Sequence, residues 1–125
     1  MQKLTYSQVA PVRANLLAVQ GGVCALCKTK PNAPALDHCH TNGWIRGVLC
    51  SGCNAMLGKL ENNRARFGLN DDRKFIMFMQ NVVSYLAHHR NGPTATLHPT
   101  HKNADEKRLA RNAKARKARA TKELT

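Results

Sequence analysis

The sequence has few large side chains with which to build a hydrophobic core: one Trp, two Tyr and three Phe among 125 residues. Apolar residues make up 42% of the chain, but many of them are alanines. A domain with so little to bury usually depends on a metal, a disulfide or assembly for its stability. The composition therefore predicts one small domain that needs such a staple.

Long apolar runs are also lacking. The chain has no apolar segment of the length that crosses a membrane, and no segment pairs a large apolar face with a basic one. Residues 1–6 lack the apolar stretch of a signal peptide. We therefore expect a soluble protein of the cytoplasm with no membrane partner.

Acidic residues are scarce: 7 Asp and Glu stand against 20 Lys and Arg, which gives a net charge of +13. So basic a protein favours a polyanionic partner, because each cationic side chain that meets a phosphate releases condensed counterions. Residues 1–100 contribute +7 and residues 101–125 contribute +6. We predict nucleic acid as the leading partner, with an anionic membrane surface as the alternative.

The end of the chain has a composition of its own, because residues 102–122 are nearly all Lys, Arg, Ala and Asn. Leu109 and Leu124 are its only large apolar residues, so it cannot bury a face. We predict a folded domain over residues 1–100 and a basic, mobile arm over residues 101–125, with enough alanine to be helical. The arm would follow DNA phosphates through Lys107, Arg108, Arg111 and Lys114.

Cysteine, by contrast, is well represented. The chain has five, and four of them form two Cys-x-x-Cys pairs. Two such turns supply the four thiolates of a closed, tetrahedral zinc site. Paired disulfides fit poorly with a reducing compartment, and a redox motif needs a single pair in a βαβ setting. We predict one structural zinc ion, bound by Cys24, Cys27, Cys50 and Cys53.

Apolar spacing predicts a first helix from about Ala10 to the glycines at residues 21–22. It should begin there because Pro11 fits only within the first turn of a helix. Residues 35–40 and 44–49 are predicted to form a β-hairpin, since Asn-Gly at the centre is a strong hairpin signal.

Two further helices are predicted, one from about Ser51 to Asn63 and one over residues 71–90. The second has an apolar stripe that suits either an internal core or a dimer interface. Together these elements predict an α+β fold that is mostly helical.

The hairpin and the following helix bring together residues suited to phosphodiester hydrolysis. Asp37 and His38 lie between the two cysteine pairs, and Asn54 follows the last cysteine directly. The Asp37 carboxylate and the Asn54 amide are oxygen ligands that suit Mg²⁺ or a similar ion. His38 can accept a proton from water near neutral pH.

These residues stand in a recognisable order. Cys24-x-x-Cys27 is followed by Leu-Asp-His-x-His at residues 36–40, and then by Arg-Gly-Val-Leu-Cys-x-x-Cys-Asn-Ala at residues 46–55. The set resembles the phage recombination endonuclease VII family, which belongs to the His-Me finger (HNH-like) nucleases. The resemblance is densest over residues 16–60.

The resemblance implies a zinc-stabilised ββα-metal fold with flanking helices, to which the basic tail is added. It implies Asp37 and Asn54 as Mg²⁺ ligands, His38 as general base, and His40 as a second histidine that orients substrate or assists the leaving group. Members of the family resolve branched DNA as dimers, which implies a homodimer, in the host cell cytoplasm if a phage encodes the chain. The chain departs from the family at Cys39, where an Asp is common.

We therefore expect a metal-dependent DNA endonuclease of the endonuclease VII kind, acting on branched DNA such as four-way junctions. Two alternatives stay open: an HNH nicking or homing endonuclease that cuts a duplex site, and a non-catalytic zinc-dependent DNA-binding module. Arg46 would clamp a phosphate or cap the zinc loop. Lys59, Arg64 and Arg66 would face either DNA or solvent.

Overall fold

A computed structural model describes residues 2–125. Its elements follow one another as α1 (Tyr6–Val19), β1 (Pro34–His38), β2 (Ile45–Cys50), α2 (Ser51–Asn63), a 3-10 turn (Ala65–Phe67), α3 (Asp72–His89) and α4 (Ala104–Glu123). The chain divides into two compact units, one ending at Met79 and the other beginning at Gln80, so α3 crosses the division. Over the described residues the fold is mostly helical with a two-stranded sheet, as predicted.

The two strands form the predicted antiparallel hairpin, and its register is interrupted once. Asp37 pairs with Gly47, but His38 pairs with Ile45. Arg46 is therefore the extra residue of a β-bulge, a feature that bends a strand and changes the direction of its side chains. The bulge places one more residue on β2 than on β1, and the sequence pattern did not predict it.

The turn of the hairpin is built around Gly43, whose φ of 79° lies in the left-handed region that glycine adopts most easily. The Gly43 N–H donates to the Cys39 carbonyl at 2.7 Å, and the Trp44 N–H donates to the Asn42 side-chain oxygen at 3.0 Å. This confirms the hairpin predicted from Asn-Gly. The strands are shorter at the turn than predicted, since β1 ends at His38 and β2 begins at Ile45.

Helix α1 begins one turn earlier than predicted, so the expected start near Ala10 was wrong. It starts at Tyr6 and contains Pro11 in its interior. The Thr5 N–H donates to the Gln8 side-chain oxygen at 2.8 Å, which satisfies one of the free donors at the helix start. Pro11 lacks the N–H that would bond the Ser7 carbonyl, and its ring crowds that carbonyl; Ser7 is exposed to water.

The end of α1 is tied to β2 by Gln20. Its side-chain nitrogen donates to the carbonyls of Val48 at 2.9 Å and Val23 at 3.0 Å, and its oxygen accepts the Val48 N–H at 2.8 Å. Gln20 thus covers the edge of β2 that faces away from β1. A Cβ at Gly47 would lie 2.9 Å from the Gln20 side-chain oxygen, so glycine makes room for this contact.

Helix α2 runs over the predicted residues and packs against both strands. Besides Pro31, the apolar residues buried in the described part of the chain are Cys24, Val48, Leu49 and Phe75. Cys24 belongs to the first cysteine pair, and Val48 and Leu49 lie on β2, just before the second pair. So small a core supports the prediction that the fold depends on a staple.

The second unit contains the end of α3 and the whole of α4. Helix α3 occupies nearly the predicted range, and α4 lies in the predicted arm. The Asn103 side chain accepts the Glu106 N–H at 2.9 Å, and the Glu106 side chain accepts the Asn103 N–H at 2.8 Å, so α4 begins with a reciprocal cap. No helix within residues 2–125 is both long enough and apolar enough to span a membrane.

Candidate metal centre and active site

The four cysteines predicted to bind zinc meet in one cluster, with their sulfur atoms within 4.8 Å of one another. Cys24 and Cys27 lie in a turn after α1, Cys50 ends β2, and Cys53 lies in the first turn of α2. The Lys28 N–H donates to the Cys24 carbonyl at 3.0 Å and closes the first turn. The cluster therefore joins the segment after α1 to the junction of β2 and α2.

The geometry of this cluster suits zinc. The sulfur atoms of Cys27 and Cys50 are 3.8 Å apart. Four zinc–sulfur bonds of about 2.3 Å, arranged tetrahedrally, place neighbouring sulfur atoms about 3.8 Å apart. Thiolate sulfur is also a softer donor than oxygen, and zinc is among the metals that it binds well. The four residues thus fit a structural zinc site closed by protein ligands.

The acidities of the clustered thiols also favour a cation. Burial alone would raise the pKa of Cys24, but hydrogen bonds from the backbone at Cys27, Cys50 and Leu26 bring it down to about 6. The neighbouring Cys50 side chain, together with burial, raises the pKa of Cys53 to about 12. A bound zinc ion would supply the positive charge that lets all four sulfurs ionise, so zinc uptake would release protons.

Asp37 is the buried acid of the hairpin, with 7% of its surface exposed. Arg46 donates to both of its carboxylate oxygens, from Nε at 2.7 Å and from Nη2 at 3.0 Å. The same guanidinium donates to both oxygens of Glu61 on α2, at 3.0 and 2.8 Å. Arg46 thus bridges two carboxylates in place of capping the zinc loop, and its contact with a phosphate stays a prediction.

The side chain of Glu61, followed by that of Asp37, raises the pKa of Arg46 above its ordinary value, so the guanidinium keeps its charge. Glu61 was not among the predicted site residues. It lies seven residues after Asn54, two helical turns along the same face of α2, and this spacing was the available signal. Its partner Arg46 reaches it from the bulge, which the sequence alone did not indicate.

His38 and His40 are both exposed, and their ring centroids lie 5.1 Å apart. Residue alternation in a plain strand would place Asp37 and His38 on opposite faces. Asp37 is buried and His38 is exposed, as that alternation predicts, because the extra residue of the bulge, Arg46, lies on β2. Cys39, between the histidines, is half-buried, and backbone hydrogen bonds at Asn42 and Thr41 lower the pKa of its thiol.

The oxygen donors expected for a magnesium-type ion fit such an ion by their chemistry. Asp37 accepts one Arg46 hydrogen bond at each oxygen, and each oxygen retains a further lone pair. Asn54 is half-buried in α2 directly after the zinc ligand Cys53. A pocket of about 220 Å³ is lined in part by Asp37, Arg46 and Leu57. An ion bound at Asp37 would share that carboxylate with the charge of Arg46.

Residues 1–88 match the family model described as recombination endonuclease VII, which is more than half of the chain. The chain belongs to the recombination endonuclease VII family. The matched span contains the four-cysteine cluster, the hairpin and α2, and it ends before α4.

Membership of the endonuclease VII family confirms the resemblance seen in the sequence. It suggests an endonuclease that acts on branched DNA, and it implies DNA binding. The basic arm lies beyond the part that matches the endonuclease VII family, so its role rests on its own charge and structure.

The basic residues predicted to contact DNA differ in their surroundings. Lys59 and Arg66 are exposed, as are Lys107, Arg108, Arg111 and Lys114 on α4. Arg64 pairs with Asp72 and lies over the Phe75 ring, 4.6 Å from its centroid, with 17% of its side chain exposed. These contacts favour a structural role for Arg64, and its contact with DNA stays a prediction.

Proposed function

We propose that this protein is a metal-dependent endonuclease that hydrolyses phosphodiester bonds in branched DNA such as four-way junctions. One observation supports this most: the four-cysteine cluster brackets the hairpin of Asp37 and His38 and adjoins Asn54. A zinc ion in that cluster would fix strand and helix together. The sulfur ligands close the zinc shell, so the zinc has a structural role and does no chemistry.

In this proposal Asp37 and Asn54 hold a magnesium-type ion, which when bound supplies positive charge beside the scissile phosphate. His38 takes a proton from the attacking water, and its exposure makes it accessible to substrate and solvent. His40, 5.1 Å away between ring centroids, hydrogen-bonds the phosphate or the leaving oxygen. This arrangement is the ββα-metal site of a His-Me finger nuclease.

Substrate affinity would come from charge. Lys59 and Arg66 are exposed on α2 and the turn after it, and α4 presents a series of exposed Lys and Arg side chains. We propose that these side chains contact DNA phosphates without reading the base sequence. Such contacts add affinity for any DNA, while the shape of a junction decides where the enzyme acts.

We also propose that the protein acts as a homodimer that uses α3. Ile76, Met77 and Phe78 are each 44–61% exposed, and Val83, Tyr85 and Leu86 are more exposed still. Apolar side chains in such number on one helix favour an interface. Light scattering coupled to gel filtration tests this: a monomer at concentrations that support activity would contradict it.

A non-catalytic DNA-binding module is the second candidate, and one observation favours it. Both oxygens of Asp37 are held by Arg46, so an ion has to share the proposed ligand. The decisive experiment incubates the parent and a His38→Ala variant with a four-way junction, a linear duplex and single strands, with and without Mg²⁺.

We expect Mg²⁺-dependent cleavage of the junction by the parent and almost none by His38→Ala. Equal cleavage by both proteins would overturn the role of His38. Cleavage at one site of the linear duplex would indicate an HNH nicking or homing enzyme instead. Binding by both proteins without any cleavage would indicate the non-catalytic module.

A further inference from the structure

The bridge between Asp37, Arg46 and Glu61 joins the hairpin to α2 inside the proposed active site. The four hydrogen bonds from Arg46 use four of the five N–H donors of its guanidinium. The Nη2 atom alone donates to both acids, at 3.0 Å to Asp37 and at 2.8 Å to Glu61. The two carboxylates therefore share one cation.

This shared ion pair is partly buried. The side chains of Arg46, Glu61 and Asp37 are 35%, 21% and 8% exposed, respectively. Interactions between charges are stronger where solvent screens them less. A change of one charge in this group should therefore be felt strongly at the Asp37 carboxylate.

We propose that Arg46 and Glu61 are positioning residues that set the affinity of Asp37 for its divalent ion. The positive charge of Arg46 repels the ion, and Glu61 binds and neutralises that charge. This inference rests on the proposed function, since it takes Asp37 to be an ion ligand. When an ion binds Asp37, Glu61 retains the guanidinium and neutralises it. Glu61 thus acts through Arg46 and need not touch the ion.

The net charge of the group predicts opposite changes in ion affinity when Arg46 and Glu61 are substituted. Asp37, Arg46 and Glu61 together carry −1. Arg46→Gln makes the group −2 and should tighten ion binding, whereas Glu61→Gln makes it neutral and should weaken binding. The double variant returns the group to −1 and should bind nearly as the parent does.

A merely structural role would not produce this pattern. If the bridge only holds the hairpin to α2, each substitution loosens the site, and each should weaken ion binding. The double variant would then be at least as weak as either single variant. Gln retains a donor and an acceptor and has nearly the length of Glu, which limits the disturbance of packing.

The test measures binding of Mn²⁺, as a probe for Mg²⁺, to the zinc-loaded full chain without DNA. The electron paramagnetic resonance signal of free Mn²⁺ reports the unbound ion. We expect the dissociation constant to fall about tenfold in Arg46→Gln and to rise about tenfold in Glu61→Gln. Asp37→Asn identifies the site, and zinc content and circular dichroism show that each variant is folded.

The outcomes separate the inference from the proposed function. Opposite shifts with recovery in the double variant support the inference. If Asp37→Asn abolishes Mn²⁺ binding but the two Gln variants shift together or not at all, the inference is overturned and the ion site stands. If Asp37→Asn leaves Mn²⁺ binding unchanged, both fail, and junction cleavage by the parent then shows whether nuclease activity survives without this ion site.

If a Gln variant does not fold, Arg46→Lys provides a second measurement, because it keeps the positive charge. It should bind Mn²⁺ within about threefold of the parent, because the net charge of the group is unchanged. A tenfold tighter affinity in Arg46→Lys would show that the shape of the guanidinium matters and its charge does not, and would overturn the inference.

Discussion

Gln20→Ala should destabilise the first unit strongly, although it removes only one partly exposed polar side chain. Gln20 makes three hydrogen bonds of 2.8–3.0 Å to the backbone of Val23 and Val48. Val48 is fully buried, so its N–H loses its acceptor and gains no water in exchange. At about 1 kcal/mol for each net hydrogen bond, the free energy of unfolding should fall by about 3 kcal/mol.

Urea unfolding of the zinc-loaded protein tests this expectation. Trp44 is the only tryptophan of the chain and lies at the hairpin turn, so its fluorescence follows the unfolding of this unit. Gln8→Ala is a suitable control, because it removes one hydrogen bond at an exposed helix end and should cost less than about 1 kcal/mol. If Gln20→Ala lowers the free energy of unfolding by less than about 1 kcal/mol, Gln20 does not stabilise the edge of β2 as inferred.

Gly47→Ala provides an independent check of the same contact. The new methyl group would lie 2.9 Å from the Gln20 side-chain oxygen and displace it. In a Gln20→Ala background that oxygen is gone, so the methyl group has room. We expect the double variant to lose clearly less stability than the two single variants would together, by at least about 1 kcal/mol. Additive losses would show that Gln20 and Gly47 are independent.

Two further predictions concern the zinc cluster and the arm. Zinc affinity, measured by competition with a chromogenic chelator, should rise at least about tenfold from pH 7 to pH 8, because the thiol of Cys53, with its pKa raised to about 12, must release a proton to bind zinc; a flat profile would contradict thiolate ligation. Removing residues 102–125 should weaken DNA binding and flatten its dependence on salt, while cleavage at saturating DNA survives; an unchanged salt slope would show that α4 does not contact phosphates.

The sequence predicted the features that follow from local chemistry. Asn42-Gly43 predicted the hairpin turn because glycine accepts a left-handed conformation. Apolar spacing predicted α2 and α3, and the two Cys-x-x-Cys pairs predicted the cluster. Each of these signals is contained within a few consecutive residues or in a repeated spacing.

The features that escaped prediction depend on partners far along the chain. The start of α1 was misjudged, because a side-chain cap from Gln8 and exposure to water compensate for Pro11 within the helix. The bulge at Arg46 follows from how two strands pair, and Glu61 joins the site through hydrogen bonds with Arg46, which lies 15 residues earlier in the chain. Gln20 reaches Val48 across 28 positions, a distance that no local pattern reports.

Zinc should hold the hairpin and α2 together as one nuclease site, and its removal tests this role most directly. Cleavage of a four-way junction should be measured in excess Mg²⁺ with zinc-loaded protein, with protein stripped by a chelator that prefers zinc to magnesium, and after zinc is restored. We predict that cleavage disappears on stripping and returns with zinc, because the small core cannot hold the site alone. Cleavage at the full rate by zinc-free protein would contradict this account.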